Sequence, residues 1–267
     1  MKYSVFQMDI KPGDPKGNRE VVQAWIEKEV SENKPDIIVL PEMWTTAYTL
    51  DSLEEVADRD GEPTKSFLSE LSSRLNVNII GGSIANKIGD EFYNTAFVYN
   101  RSGQLVYEYS KVHLVPMLNE HHYLTGGKQA PEVFELEGIK MGLIICYDLR
   151  FPEIIRSLAL EEAQVLHVVS EWPNARTGHW KNLQIARAIE NQMYVVSSNR
   201  IGTYDGVTFC GSSMIIDPWG DVLEEGNESE ERTLNSELDL EKVKRVRKEV
   251  PIFSSRVPHL YKKENIR

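Results

Sequence analysis

Three apolar runs in this chain stop at residues able to do covalent chemistry. "DIIVLPEMWTTAY" delivers Glu42, "LVYEYSKVHL" delivers Lys111 and "GLIICYDLRFPE" delivers Cys146. In α/β proteins ligands and chemistry collect at the carboxyl ends of strands, so polar residues directly after apolar runs are the informative ones. Taken singly, Glu42 and Lys111 read as exposed turn charges. Cys146 alone reads as a core thiol, because free cysteine is among the most buried residue types. Taken together they are a base, a cation and a nucleophile. A thiol with a reference pKa of about 8.5 is mostly protonated at neutral pH, and a neighbouring carboxylate can take its proton during attack. A lysine beside them offsets the carboxylate and can donate to the oxyanion formed when the thiolate attacks an amide or nitrile carbon. The backbone N–H of Tyr147, in the turn after Cys146, would complete that oxyanion hole. Pro152 suits the first turn of a following helix, whose positive end would favour the thiolate.

The elements that must hold these residues alternate. Short β-branched runs, "YSVFQM", "DIIVL", "VNIIGGSI", "NTAFVYN", "QLVYEYS", "KMGLIIC", "VLHVVS", "MYVVSSN" and "SSMIIDP", are interleaved with amphipathic stretches. Helices are expected over about 17 to 33, 63 to 75, 153 to 162, 179 to 191 and 240 to 248. This is the pattern of an α/β protein with buried sheets. "NRSGQ" between two alternating runs reads as a hairpin turn, so the sheets should be mixed. No Pro/Gly/Ser-rich linker and no short-period repeat divides the 267 residues, and we expect one domain over 1–267.

Composition bounds the partners. Hydrophobic residues at 41% and charged residues at 27% are ordinary globular values. A formal net charge of -11 repels phosphate backbones and anionic lipid, which argues against nucleic acid or membrane as the main partner. The basic run "KVKRVRKEV" alternates with valines and reads as a solvated helix face. No signal peptide is legible in "MKYSVFQMDI", and no run approaches the ~18 apolar residues of a membrane span, so a cytoplasmic protein is expected. Two cysteines make no disulfide framework. His113, His121 and His122 fit no standard zinc spacing and read as surface or packing residues. Cys210 reads as core, and Arg187 with Glu190 as an ion pair three residues apart on a helix. Ile252, Phe253, Leu260 and Tyr261 in the tail "VPIFSSRVPHLY" need cover, which a second copy of the chain could supply.

"LPEMWTTAY", "YSKVHL" and "GLIICYDLRFPE" resemble the three motifs of the nitrilase superfamily, carbon–nitrogen hydrolases with a Glu-Lys-Cys triad. The resemblance continues through "EFYNTAFVYN", "ARAIENQMYVVSSNRIG" and "GSSMIIDPWGD", nearly the whole chain. It implies Glu42 as general base, Lys111 as oxyanion-stabilising cation or proton donor, Cys146 as nucleophile, and neither metal nor cofactor. It implies a nitrilase-type αββα sandwich, often dimerised, and a small-molecule amide as substrate. It also implies a second glutamate near the triad. Glu120 in "MLNEHHYLTGG" stands there, able to orient Lys111 or the substrate amide, with an exposed loop acid as the alternative. Many members carry an aromatic residue followed by Pro-Gly at this point, whereas this chain reads Leu124, Thr125, Gly126.

"WPNARTGHW" together with "PEMWTTAY" resembles the ω-amidase branch, which hydrolyses the terminal amide of small 2-oxo-dicarboxylic acid monoamides such as 2-oxoglutaramate and 2-oxosuccinamate. That implies Trp172 and Trp180 as pocket walls, Arg176 as a carboxylate partner, and Trp44 and Tyr48 closing the other side. Core packing is the alternative for each tryptophan. A nitrilase or an N-carbamoyl-amine hydrolase would use the same triad. The reading from another class, a non-catalytic binding protein on the same fold, has no chemical reason to keep all three residues.

Overall fold

Apolar residues on both faces of the strands dictate a sheet covered on both sides. The computed structural model, which describes residues 1–261, has two such sheets. Its strands are β1 (Lys2–Gln7), β2 (Ile37–Val39), β3 (Asp58–Arg59), β4 (Asn78–Ile88), β5 (Glu91–Tyr99), β6 (Leu105–Ser110), β7 (Phe134–Leu136), β8 (Ile139–Ile145), β9 (Val165–Ser170), β10 (Tyr194–Asn199), β11 (Thr203–Tyr204), β12 (Val207–Thr208), β13 (Met214–Ile216), β14 (Val222–Glu225) and β15 (Arg232–Glu237). The first sheet runs β15-β1-β2-β4-β5-β6, with β3 beside β4, and the second runs β14-β13-β10-β9-β8-β7. Both are mixed. β1, β2 and β4 are parallel, as are β8, β9 and β10, and β3 runs parallel to β4, while β5, β6, β7, β13, β14 and β15 pair antiparallel. The turn expected at "NRSGQ" joins the antiparallel β5 and β6.

Helices α1 (Pro15–Asn33), α2 (Leu53–Val56), α3 (Thr64–Leu75), α4 (Pro152–Leu160), α5 (Thr177–Asn191) and α6 (Glu241–Glu249) lie within a few residues of the expected spans, α2 being an addition. Strand alternation sorts the layers. Tyr3, Val5, Ile37, Val39, Ala96 and Val98 of the first sheet join the core shared with the second. Phe6, Ile38, Phe97 and Tyr99, on the opposite face, pack with Val22 and Ile26 of α1 and Leu68 and Leu71 of α3. On the far side α5 packs on β10 and β13 and against α4, and β1 meets β10 between the sheets. The result is the expected αββα sandwich.

Several elements escape a reading by pattern. β15 reads "RTLNSE", where Leu234 alone is buried and apolar, yet it pairs along the whole of β1. The basic run forms α6, burying Val243 and Val246 and turning its other side to solvent, as expected of a solvated face. In the tail, Phe253 finds cover within the chain, between the guanidinium groups of Arg156 and Arg247 at 5.6 and 5.0 Å, whereas Leu260 and Tyr261 stay exposed.

One backbone approach sets up the site. At the bulge in β4, Gly82 has φ +61°, and a Cβ there would lie 2.0 Å from the Pro41 carbonyl oxygen. This closeness lets Ser83 N–H donate to Pro41 O and Trp44 N–H to Ser83 O, at 3.1 Å each, pinning the turn that carries Glu42. Gly82→Ala is expected to destabilise the fold by about 3 kcal/mol in urea unfolding and to lower turnover in the folded remainder. Gly89→Ala, at a similar φ of +59° but in open space, should cost only about 1 kcal/mol.

Candidate active site

Strand ends from both sheets deliver the reactive groups to one place. Glu42 follows β2, Lys111 follows β6, Cys146 follows β8, and Glu120 begins a short 3₁₀ turn in the loop after β6. Glu42, Lys111 and Glu120 are fully buried at the side chain. Lys111 Nζ donates to Glu42 Oε1 at 3.0 Å and to Glu120 Oε1 at 2.8 Å. Glu42 Oε1 also accepts from Asn94 Nδ2 at 2.7 Å, and its Oε2 accepts from the backbone N–H of Glu171 at 2.7 Å. Glu120 Oε2 accepts from Val115 N–H at 2.8 Å. Glu120 is thus no exposed loop acid. Burial pulls the Lys111 ammonium down, but the Glu120 and Glu42 carboxylates raise it by more and hold it charged.

Tyr48, expected on a pocket wall, belongs to this cluster instead. Its hydroxyl oxygen lies 2.8 Å from Glu42 Oε1 and 2.5 Å from Glu120 Oε1, and accepts from Lys111 Nζ at 3.1 Å. One hydroxyl proton can serve only one of the two carboxylates at a time. Tyr48 also borders a neighbouring cleft with Leu118, Tyr204 and Phe209.

Cys146 is 4% exposed and sits at φ +45°, a left-handed conformation that side chains rarely adopt. It opens a 3₁₀ turn, Cys146–Arg150, that separates β8 from α4. Asp148 holds this turn in place. Its Oδ2 accepts from Tyr109 Oη at 2.8 Å and Ile145 N–H at 3.1 Å, and its Oδ1 lies 2.8 Å from His113 Nδ1. Arg187 donates through Nη2 to Leu149 O at 2.9 Å while pairing with Glu190 at 2.9 Å. Pro152 opens α4 as expected, after the intervening turn, but the thiolate is not favoured on balance: burial, with the Glu42 charge, pushes the thiol well up against the opposing pull of Lys111. Cys146 therefore rests as a thiol, and attack by its sulfur would need a base.

The cleft over Cys146 is lined by Tyr147, Arg150, Glu171, Trp172, Pro173 and Arg176, with Val115, Met117 and Leu118 opposite. The structure therefore brings Trp172 and Arg176 to the cleft that holds Cys146. Trp44 and Trp180 lie elsewhere than expected. Trp44 is wholly buried behind the Glu42 turn, its Nε1 donating to Gly81 O at 2.8 Å, because the tight turn after β2 directs it into the layer beneath α3. Trp180 is equally buried, donates to Ser212 O at 2.7 Å and backs Trp172 from 5.4 Å, on the inner side of α5. Cys210 is core, its thiol pushed up to about 12 by burial. His113 stacks on Phe151 at 3.6 Å, and no cluster of metal-ligating side chains occurs among the described residues.

Four residues here escaped the reading of the sequence: Asn94, Asp148, Arg150 and Glu171. Glu171 directly follows the apolar run "VLHVVS", so the strand-end rule that found Cys146 also points to it. Its carboxyl is fully buried, with Oε2 3.3 Å from Arg200 Nη1, and burial pushes it up to about 8. Arg150 lies over the Trp172 ring at 4.6 Å, and neither it nor Arg176 forms an ion pair among the described residues. Asn94, in mid-strand, and Asp148, in a turn, carried no positional signal.

The sequence profile of the family described as Carbon-nitrogen hydrolase matches residues 2–248. The chain is 42% identical to a 2-oxoglutaramate amidase of Bacillus subtilis (strain 168), an alignment covering 98% of this chain and 100% of that one. It is 34% identical to the chloroplastic omega-amidase of Arabidopsis thaliana over 93% of this chain and 70% of the relative. Its fold superposes with a TM-score of 0.87 on the crystal structure of Saccharomyces cerevisiae Nit3, a member of branch 10 of the nitrilase superfamily, at 27% identity and 94% coverage of both chains. The chain belongs to the carbon–nitrogen hydrolase family, within the nitrilase superfamily.

Proposed function

We propose that the protein is an ω-amidase, hydrolysing the terminal amide of a small acid that carries a carboxylate at its other end. One observation carries the choice: two guanidinium groups without acidic partners among the described residues, Arg150 and Arg176, share a cleft with Cys146 in a chain of net charge -11. Unpaired cations beside a nucleophile invite an anionic substrate, and a bidentate guanidinium–carboxylate pair fixes its direction. The 42% identity to a 2-oxoglutaramate amidase supports the same class, with 2-oxoglutaramate and 2-oxosuccinamate as the leading candidates.

In the proposed cycle Glu42 takes the Cys146 proton as sulfur attacks the amide carbon. The oxyanion forms against Lys111 Nζ and the Tyr147 N–H. Glu42 then returns the proton to the leaving nitrogen, and ammonia departs from a thioester. Water, deprotonated by Glu42, attacks that thioester and releases the acid, and the proton restores the thiol. Glu120 acts through Lys111, fixing the ammonium from the side opposite Glu42. Trp172 supplies a wall to the substrate chain. We also propose a cytoplasmic homodimer or higher homo-oligomer: Val257, Leu260 and Tyr261 are exposed at the end of the described chain. Light scattering at micromolar concentration should give at least twice the monomer mass, and a clean monomer contradicts the assembly.

Cys146→Ala should abolish ammonia release, whereas Cys210→Ala should act only through packing. Glu42→Gln should keep the fold and cost on the order of 10²-fold or more in rate. Ammonia release from folded Cys146→Ala protein refutes the nucleophile. For the substrate class, hydrogen bonds to charged groups are worth about 1.5 to 3 kcal/mol, so Arg176→Ala should lower kcat/KM roughly 10- to 150-fold for ω-amide acids and little for a neutral amide. Equal losses on both would mean that Arg176 supports its loop. Preferential hydrolysis of nitriles or N-carbamoyl compounds would move the protein to another branch.

A further inference from the structure

From the wiring of its carboxyl group we infer that Glu171 is a specificity-determining residue of the cleft, its Oε1 donating a hydrogen bond to an oxygen of the bound amide acid. The inference rests on the ω-amide reading above and adds a substrate contact beside Cys146. Glu171 ends β9, lines the cleft and has no exposed surface. Its backbone N–H and its other carboxyl oxygen are committed. The backbone N–H holds Glu42 Oε2 at 2.7 Å, and Oε2 accepts from Arg200 Nη1 at 3.3 Å. Arg200 is itself immobilised by Asp9 Oδ1 at 3.1 Å, Ile10 O at 2.9 Å and Ile201 O at 2.8 Å, so it cannot turn to serve both carboxyl oxygens. Oε1 is buried and has no hydrogen-bond partner among the described residues. An atom left so costs stability unless something completes it, and in a cleft wall the substrate is what arrives.

The charge around Glu171 decides which atom it meets. Facing it are Arg200 after β10, Asp9 beyond that arginine, Glu42 after β2, Lys111 after β6, Cys146 after β8, and Arg150 and Arg176 in the cleft. Burial raises the carboxyl, Arg200 opposes this and Glu42 adds to it, leaving it at about 8. Near neutral pH the group therefore carries its proton. Oε2 faces a guanidinium that only donates, so the proton sits on Oε1. A donor there seeks an oxygen. The amide oxygen is occupied by Lys111 and Tyr147 in the proposed cycle, which leaves the carboxylate oxygen at the far end of the substrate. The sign follows: below a pH of about 8 Glu171 is neutral and admits an anion, and above it the ionised group repels one.

The test is the ratio of kcat/KM for succinamate to that for butyramide, a neutral amide of equal carbon count, measured from pH 6.5 to 9.5. Titration of the catalytic groups is common to both substrates and cancels. In the wild-type enzyme the ratio should fall about 10-fold from pH 7 to pH 9, through KM for succinamate, as expected for one group ionising near 8. Glu171→Met, which removes the donor, should lower the ratio at pH 7 by roughly 10- to 100-fold. Glu171→Gln must give its carbonyl to Arg200 and so presents an N–H where Oε1 stood. It should restore the ratio lost in Glu171→Met and abolish the fall with pH. A wild-type ratio in Glu171→Met would reduce Glu171 to a partner of Arg200. A Glu171→Gln ratio that still falls near pH 8 would assign the titration to another group and overturn the inference, even if Glu171→Met, which strands Arg200, does not fold. Wild-type preference for butyramide at every pH would instead sink the ω-amide reading itself.

Discussion

The Lys111 ammonium lies between the carboxylates of Glu42 and Glu120, at 3.0 and 2.8 Å, with none of the three side chains exposed. Taking each charge out of water costs several kcal/mol, so the cluster persists only because every oxygen is met by a donor. Asn94, Tyr48 and the N–H groups of Glu171 and Val115 supply those donors. Two negative charges against one positive still leave the cluster negative overall. That excess adds to burial in what surrounds it: burial and then the Glu42 charge raise the Cys146 thiol, and burial and then the charges of Glu120 and Glu42 hold the Tyr48 hydroxyl protonated.

No single sheet could assemble such a cluster. Glu42 and Lys111 end strands of one sheet, while Cys146 and Glu171 end strands of the other. Stacking the sheets with these ends at one edge lets a backbone N–H from the second sheet reach Glu42 in the first, at 2.7 Å. Asp148 repeats the stitch, binding the cysteine turn to Tyr109 of β6 and to His113. Both stitches cross the sandwich core, whose contributors from the two sheets form one apolar cluster. Packing between the layers therefore sets the position of Glu42 relative to Cys146, and Gly82 sets it within the first sheet by allowing β4 to close on the Glu42 turn.

How far this was legible depends on what carried the signal. Buried strands announce themselves by β-branched runs, and the strand-end rule then finds Glu42, Lys111 and Cys146 without knowledge of their partners. Where pairing rather than burial makes a strand, as in polar β15, the pattern is silent. Tryptophans are legible as large and buried but not as to which surface they bury against: Trp172 reaches the cleft, Trp44 and Trp180 the core behind it. Tyr48 shows a further limit. Its ring suggested a wall, but its hydroxyl settled its place, since a buried phenol goes where its oxygen finds partners. Asn94 and Asp148 act through distances that no local pattern encodes.

The buried negative excess also bears on why Cys146 rests as a thiol. A resting thiolate would add a further negative charge to an enclosed site that already holds more carboxylate than cation, and burial opposes it. Proton transfer from Cys146 to Glu42 avoids that addition, because one negative charge disappears from the carboxylate as one appears on sulfur. When sulfur attacks, the charge moves on to the oxyanion, and when ammonia leaves it returns to Glu42. Throughout the proposed cycle the total charge of the cluster stays constant, and Lys111 need only redistribute its hydrogen bonds among acceptors within reach. A fixed ammonium that loses its share of Glu42 as the oxyanion forms requires a second anchor to keep its place, and Glu120, bound at 2.8 Å and held in turn by Val115 N–H, is positioned as that anchor. The second glutamate is in this sense the condition for a lysine that can let go of the first.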